Sequence, residues 1–348
     1  MNHICTWLCA DEKGEESDFP QSGMKSSSQS HQNIYWRCLI VFFVSSTRFN
    51  KEEKHLLFTN VKTLPTVDGR QVADIMHDLG VEVIPIDFKY KTPKGYFGSF
   101  QNQFFEFSIL EYIAQNKHEP DDLYLIADSD CIFIKPAKRL FNEAAPNGFI
   151  SFEIDSPVDH KINGLSRLDM QLLFADLLGR EVNEIPSYHL GEFLLCSNAN
   201  IKKLYTDFLE LWPVLLGRNE KGLRKLNEEA HTLSFLYFKN GWEAAKQNVF
   251  MKRIWTNPVF YRNVAPSDLR LTLWHLPAEK TFGIARLYDY VIFRLDNYGK
   301  NISDRSFLGL VRKATGIPSL RASRKIGYYS ISYYKAIAKR IRKYAGAH

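Results

Sequence analysis

Leu123-Tyr-Leu-Ile-Ala127 is an apolar run of five that stops at Asp128-Ser129-Asp130; a second apolar run, Cys131-Ile-Phe-Ile134, follows and is closed by Pro136. Short apolar runs bounded by turn-forming residues read as buried strands. In open α/β sheets, ligands gather beyond the carboxyl ends of strands, so the two aspartates stand where a ligand would be bound. Two carboxylates one residue apart on such a turn can aim hard oxygens at a divalent cation, which in turn bridges two phosphates of a nucleotide. The same tripeptide also occurs as a plain solvated turn, but apolar strands on both sides favour the metal reading.

Upstream of this turn, strands and helices alternate. His3 to Ala10 reads as a strand that delivers Asp11 and Glu12 to a sheet edge. Residues 13–32 are rich in Ser, Gln, Glu and Gly, hold too little apolar matter to pack, and read as a mobile loop. Ile34 to Arg48, apolar almost all round, suits a buried helix behind the first strand, and His55 to Thr59 suits a second strand. Gly69 to Leu79 reads as helix and Val81 to Ile86 as strand, followed by a helix with Phe100, Phe104, Phe107 and Ile113 on one face. The alternation predicts an α/β protein with a Rossmann-type, mostly parallel, doubly wound sheet. Downstream, Phe149 to Glu153, Glu192 to Cys196 and Leu271 to His275 are strand-like, and helices are expected over Asn200 to Leu216 and Glu228 to Lys239. No internal repeat is present.

The chain has 348 residues, 45% apolar and 24% charged, which is enough to bury a core without disulfides or metal staples. Its five cysteines (Cys5, Cys9, Cys38, Cys131, Cys196) are odd in number and form no pairs at metal-ligand spacing. This argues against a disulfide framework or structural zinc and for a reducing cytoplasmic setting. The longest apolar run, Cys38 to Val44, falls far short of the roughly 20 residues a membrane helix needs, and no signal-peptide pattern opens the chain. The expectation is a protein neither exported nor membrane-spanning.

Net charge is +6 but unevenly placed. Residues 305–348 hold eleven Lys and Arg and no acid, leaving the other 304 residues at net −5. Between Arg321 and Tyr344, Ile326, Tyr333, Ile337, Ile341 and Tyr344 recur at three- and four-residue intervals among the cations, the pattern of a basic amphipathic helix. We therefore expect residues 1–300 to form the catalytic domain and 301–348 a basic helical extension. That extension would meet an anionic membrane surface, peripherally and at the cytoplasmic face; a helix packed on the body with solvated charges is the alternative. Nucleic acid is not an expected partner, because no zinc pattern or aromatic RNA-binding strand accompanies the cations.

Tyr124-Leu-Ile-Ala-Asp-Ser-Asp-Cys-Ile-Phe133 resembles the DxD segment of GT-A nucleotide-sugar glycosyltransferases, and other segments agree in order over roughly residues 1–280. Cys5-Thr-Trp-Leu-Cys-Ala-Asp-Glu12 resembles the first strand of family 8 transferases, which implies that Ala10 and Asp11 meet the nucleoside. Ser99-Phe-Gln-Asn-Gln-Phe-Phe-Glu-Phe107 resembles the helix before the DxD strand. Asn227-Glu-Glu-Ala-His-Thr-Leu-Ser234 is similar to the acidic segment of retaining blood-group-type transferases, which implies that Glu229 faces the anomeric carbon. Glu228 then caps the helix or holds a hydroxyl, although carboxylates at a helix start are favourable without any function. Where family 8 chains usually carry His-x-x-Gly-x-x-Lys, this one has His275-Leu-Pro-Ala-Glu-Lys280. His275 is either the third metal ligand beside Asp128 and Asp130 or a packed residue next to Trp274. Lys280 either neutralises the diphosphate, with Asp128 and Ser129 at the same donor, or is solvated. In Tyr188-His-Leu-Gly-Glu192, Gly191 would allow close approach of a sugar while Glu192 or His189 binds hydroxyls, or the segment is a plain turn. Asp155 and Asp159 read as acceptor-side acids or surface loop.

The resemblance implies a retaining hexosyltransferase that uses Mn2+ or Mg2+ and a nucleotide sugar, UDP being the expected nucleotide. Its acceptor would be a saccharide or a lipid-linked glycan, as in bacterial surface-polysaccharide synthesis. Two other readings stay open. A sugar-activating nucleotidyltransferase would need a Gly-rich loop after the first strand, which Ala10-Asp-Glu-Lys-Gly14 lacks. A catalytically silent membrane-bound scaffold would not need both aspartates.

Overall fold

The computed structural model describes residues 1–16, 24–116, 118–154, 156–244, 248–320, 322, 325–326 and 328–330. The first half comprises β1 (Asn2–Leu8), α1 (Gln29–Phe49), β2 (Lys54–Thr59), the hairpin β3 (Thr66–Val67) and β4 (Arg70–Gln71), α2 (Val72–Leu79), β5 (Val81–Pro85), α3 (Phe105–Gln115), β6 (Leu123–Ala127) and β7 (Cys131–Phe133). Then come α4 (Lys138–Ala144), β8 (Phe149–Ile150), α5 (Arg167–Leu178), β9 (Phe193–Ser197), α6 (Asn198–Glu220) and α7 (Glu229–Lys239). The last stretch holds β10 (Met251–Arg253), the hairpin β11 (Thr256–Asn257) and β12 (Tyr261–Arg262), β13 (Leu273–His275), α8 (Gly283–Phe293) and α9 (Asp304–Thr315).

Six strands form one sheet in the order β5-β2-β1-β6-β9-β8. β5, β2, β1 and β6 run parallel, and β9 enters antiparallel between β6 and β8. Its central strands are buried on both faces. Ile4, Leu8 and Leu125 join the apolar layer under α1, α2 and α8, while Cys5, Tyr124 and Ile126 join the one under α3, α6 and α7. That is why these strands read as continuous apolar runs rather than alternating ones. A second, three-stranded sheet in the order β10-β13-β7 abuts the first, and Asp128-Ser129-Asp130 is the link between β6 of one and β7 of the other.

Several boundaries differ from the sequence reading for local reasons. α1 starts at Gln29, inside the stretch expected to be loop, because Ser28 caps it by accepting from the His31 amide. Gly69 does not open a helix. Asp68 and Gly69 both take positive φ (49° and 77°) and make the two-residue turn of the β3–β4 hairpin, so α2 begins only at Val72. Phe100 is likewise outside any helix, at φ 57°, and Gln101–Phe104 is a 3₁₀ turn leading into α3. α9 places Phe307 and Val311 in the same core as α1 and α8.

Gly283 opens α8 where a Cβ would lie 2.3 Å from Glu279 Oε2 and 2.8 Å from the Ala314 carbonyl oxygen. Gly283→Ala is therefore expected to destabilise the fold by about 1–3 kcal/mol through overpacking against backbone. The check is a lower urea midpoint with an unchanged slope.

Most of the expected amphipathic helix over 321–344 lies outside the described residues, as does Asp155. Of the positions described, Tyr328 is buried with its ring against Phe282, while Ile326 and Tyr329 are exposed. Among the described residues no helix is long and apolar enough to cross a membrane.

Candidate active site

Strand register brings the site together. β6 and β9 are antiparallel with Ala127 opposite Phe193, and the Asp128 amide donates to the Glu192 carbonyl at 3.2 Å, so Asp128 and Glu192 leave their strands side by side. β7 and β13 are antiparallel with Cys131 opposite His275, and the Leu276 amide donates to the Asp130 carbonyl at 3.1 Å. β10 flanks β13 in parallel with Arg253 opposite His275. Each group thus comes from a residue at a strand end, a rigid placement.

The imidazole of His275 sits between carboxylates. Its Nε2 lies 3.2 Å from Asp130 Oδ2 and 3.8 Å from Asp128 Oδ2, and one ligand atom from each of the three residues falls within 4.8 Å of the others. Its Nδ1 lies 2.9 Å from Glu192 Oε1. Arg253 closes the far side of Glu192, with Nε donating to Oε1 at 2.7 Å and Nη2 to Oε2. Lys280 Nζ donates to Asp130 Oδ2 and stands over the Tyr35 ring at 5.5 Å. Two carboxylate oxygens and one imidazole nitrogen at this spacing make a donor set that could hold a divalent cation.

The two aspartates are electrostatically unlike. Burial and the neighbouring Asp130 push the Asp128 carboxyl up to about 6. Burial pushes Asp130 the same way, but the Lys280 ammonium and His275 override it and hold the carboxyl far below the usual range. Burial alone would lower His275, yet Asp130 and Glu192 raise it to about 9. Within this cluster the charges are shared among the His275 imidazole, the Lys280 ammonium and the Asp130 and Glu192 carboxylates.

Across the cleft stand Glu228 and Glu229, at the start of α7 and both buried. Glu228 accepts from the Tyr188 hydroxyl and from Asn163 Nδ2, and its Oε1 is 3.5 Å from His231 Nδ1. Burial pushes its carboxyl up to about 6 despite those hydrogen bonds. Glu229 is raised well above the ordinary carboxyl range by burial, then by Glu228 and by Glu106. With its amide turned to donate, Gln103 Nε2 is 2.9 and 3.2 Å from the two Glu229 oxygens. Gly191 faces this pair: a Cβ there would lie 2.5 Å from Glu229 Oε1, so only glycine leaves the carboxyl room.

Asp128, Ser129, Asp130, His275 and Lys280 line one cleft with Glu192, Glu228 and Glu229. Ala10 and Asp11 lie behind its wall. Asp11 accepts from Ser26 Oγ at 2.6 Å, and Ser26 rather than Asp11 lines the cleft; the Ala10 amide and carbonyl pair with Asn60. Glu192 has both oxygens engaged by Arg253 and His275 instead of standing open to hydroxyls. His189 turns away, with Nδ1 3.0 Å from Ser151 Oγ. Sequence reasoning missed Arg253, Gln103 and Asn163. For Asn163 a signal was present: Ile162-Asn163-Gly164-Leu165 is an Asn-Gly turn with both central φ positive.

Three solved structures are similar in fold. The WbbM bifunctional glycosyltransferase matches with TM-score 0.51 and 8% identity over 94% of this chain and 51% of that one, so the chain spans about half of WbbM. Mouse xyloside xylosyltransferase 1 matches with TM-score 0.45 and 13% identity over 79% and 97% of the two chains. The galactosyltransferase LgtC, solved with donor and acceptor sugar analogues, matches with TM-score 0.46 and 13% identity over 91% and 98%. Neither a protein-family model nor a curated protein sequence matches the chain. A mixed α/β body, a mostly parallel central sheet and Asp128-Ser129-Asp130 at the end of its β6 strand together give this chain the GT-A type of fold seen in solved glycosyltransferases.

Proposed function

We propose that the protein is a metal-dependent glycosyltransferase that moves a sugar from a nucleoside diphosphate, with UDP the expected nucleotide, to a saccharide or lipid-linked acceptor. Cell-surface glycan synthesis at the cytoplasmic membrane face is the setting that fits the basic C-terminal segment. The observation that carries the reading is the meeting of Asp128, Asp130 and His275 in one cleft with the buried Glu228–Glu229 pair. Mn2+ or Mg2+ held by those three residues would supply charge neutralisation on the diphosphate as it departs, where negative charge develops. Lys280, already at Asp130, is placed to take a further phosphate oxygen, and its ammonium stays charged because Asp130 lies against it.

Glu229 is the group assigned to the anomeric carbon. Its burial favours the neutral carboxyl, whereas a sugar carbon gaining positive charge beside it would favour the carboxylate. Glu228, tied by Tyr188 and Asn163, fixes the start of α7 and hence the position of Glu229. The acceptor hydroxyl would then attack on the face the diphosphate leaves, as the bond to that diphosphate breaks, and pass its proton to the departing phosphate oxygen, which gives retention. The test is a panel of UDP- and GDP-sugars: Mn2+-dependent donor hydrolysis is expected with a UDP-sugar, and NMR of fresh transfer product should show the donor's anomeric configuration. An inverted product rejects the role given to Glu229; absence of hydrolysis and binding across the panel rejects the transferase reading and favours a silent scaffold.

The Arg253–Glu192–His275 chain yields a further expectation. A carboxylate on Nδ1 keeps the proton there and leaves the Nε2 lone pair for a cation. Glu192→Gln should weaken Mn2+ affinity by about 10–100-fold while leaving the fold in place. Calorimetric titration with Mn2+ checks this directly; unchanged affinity would show that His275 needs no orienting partner.

A further inference from the structure

The β11–β12 hairpin leaves the cleft wall directly after Trp255 and carries Phe260 and Tyr261 at its turn, 77% and 59% exposed. Six described large apolar side chains are more than half exposed, and four of them are Phe260, Tyr261, Ile326 and Tyr329. Apolar exposure is thus concentrated on this hairpin and on the first described turns of the C-terminal segment, rather than scattered singly as on an ordinary surface.

Buried polar ties lock those two places together. Glu279, wholly buried, accepts at Oε1 from Thr256 Oγ1 of β11 and from the Tyr328 hydroxyl at 2.8 Å, and at Oε2 from the Gly283 amide at 2.8 Å. Arg262 of β12 donates to the carbonyls of Gly316 at 2.9 Å and Pro318 at 3.3 Å. Glu279 is followed at once by Lys280 of the cleft. The four apolar side chains therefore spring from one rigid node that adjoins the cleft. Residues 319–348, which follow this node in the chain, bear eight cations and no acid.

We propose that the tip of the β11–β12 hairpin is a membrane-contacting element, in which Phe260 and Tyr261 enter the headgroup region of an anionic bilayer beside the basic C-terminal segment. Aromatic rings settle at that depth, and cations nearby in the chain add attraction to lipid phosphates. Neither alone holds a protein firmly, so the two together give reversible, salt-sensitive docking. The arrangement sets the cleft at the surface from which a lipid-linked acceptor would be taken; that last clause, and only that one, rests on the function proposed above.

The test uses the full chain and sucrose-loaded vesicles of phosphatidylcholine, alone or equimolar with phosphatidylglycerol. The wild type should sediment with the anionic vesicles, and the double variant Phe260→Ser, Tyr261→Ser should lose about tenfold in partitioning, with Mn2+-dependent donor hydrolysis in solution unchanged. In Phe260→Trp, lipids brominated on the acyl chains should quench the new indole. Equal sedimentation of double variant and wild type, or an unquenched indole, overturns the proposal. So does a double variant that loses self-association in the ultracentrifuge, or kcat/KM for a soluble acceptor, with vesicle binding untouched: a second copy or a sugar would then be the occupant. Donor hydrolysis failing in the wild type counts against the transferase reading and leaves the vesicle result standing.

Discussion

Asp130→Ala and Asp128→Ala are each expected to lower metal-dependent transfer by at least about a hundredfold to a thousandfold, and to differ in what they do to the fold. Asp130 has a side chain only 2% exposed and is the shared partner of Lys280 and His275. Deleting it strands a buried ammonium and a buried imidazolium, and breaking a buried pair from one side costs about 3–5 kcal/mol. Asp128, 21% exposed and raised to about 6 by burial and by Asp130, is there at a cost to the fold, so its removal should leave stability unchanged or higher. The double variant Asp130→Ala, Lys280→Met should recover much of the lost stability and none of the activity. Urea midpoints beside kcat/KM on a UDP-sugar separate these outcomes. Near wild-type turnover in both single variants with Mn2+ present would falsify the metal-site assignment.

Acid stability should reflect two opposed sets of buried groups, histidines and carboxyls. His55, His189 and His231 are buried, and desolvation holds them at about 4, 4 and 3 respectively, against 6.5 in an unfolded chain. Their folded-state pKa values are depressed, so the neutral form is the one the fold accepts. Above pH 6.5 they make no difference; as pH falls from 6.5 toward 4, the unfolded chain takes up three protons that the native state refuses. Each contributes a slope of up to about 1.4 kcal/mol per pH unit, and about 4 kcal/mol per unit together. The raised carboxyls of Asp128, Glu228, Glu229 and Glu106 oppose that loss, because over the same range they take up protons in the folded state before the unfolded chain does. His275 works in the opposite sense. Raised to about 9, it contributes stability that is complete below 6.5 and lost as pH climbs through 9. Urea midpoints should fall from pH 7 to 9, and in the double variant Glu228→Gln, Glu229→Gln, which removes two of the opposing carboxyls, they should also fall more steeply from pH 6.5 to 5 than in the wild type. An acid limb no steeper in that variant than in the wild type would show that the buried carboxyls do not offset the histidines.

What could be read from the sequence was whatever depends on near neighbours. β6 and the link after it were legible because a strand buried on both faces is apolar throughout and because charge interrupts it sharply. α1 was legible because its length and apolar content leave no other place for it than against a sheet. Asp68-Gly69 was passed over because the helix that follows two residues later dominated the pattern, although its turn chemistry was in plain sight. α5 stayed hidden for a different reason: Leu168 and Leu172 face solvent, so its apolar residues make no single stripe, and only the capping box of Ser166 and Asp169 marks its start. Arg253 and the true engagement of Glu192 could not be read at all. They follow from the pairing of β10 with β13 and of β9 with β6, strands 61 residues apart in the case of Arg253 and Glu192, and nothing local encodes such pairing.

The five cysteines carry a practical consequence. All are buried and reduced, and burial raises each thiol above its ordinary pKa, so the native molecule presents almost no thiolate to an alkylating or disulfide reagent. Cys5 and Cys196 lie in the central sheet, Cys131 in the small sheet and Cys38 in α1, so exposing them requires separate parts of the molecule to open. Reaction with a chromogenic thiol reagent therefore keeps time on opening events, and a new cysteine set at an exposed site would be modified against a silent background.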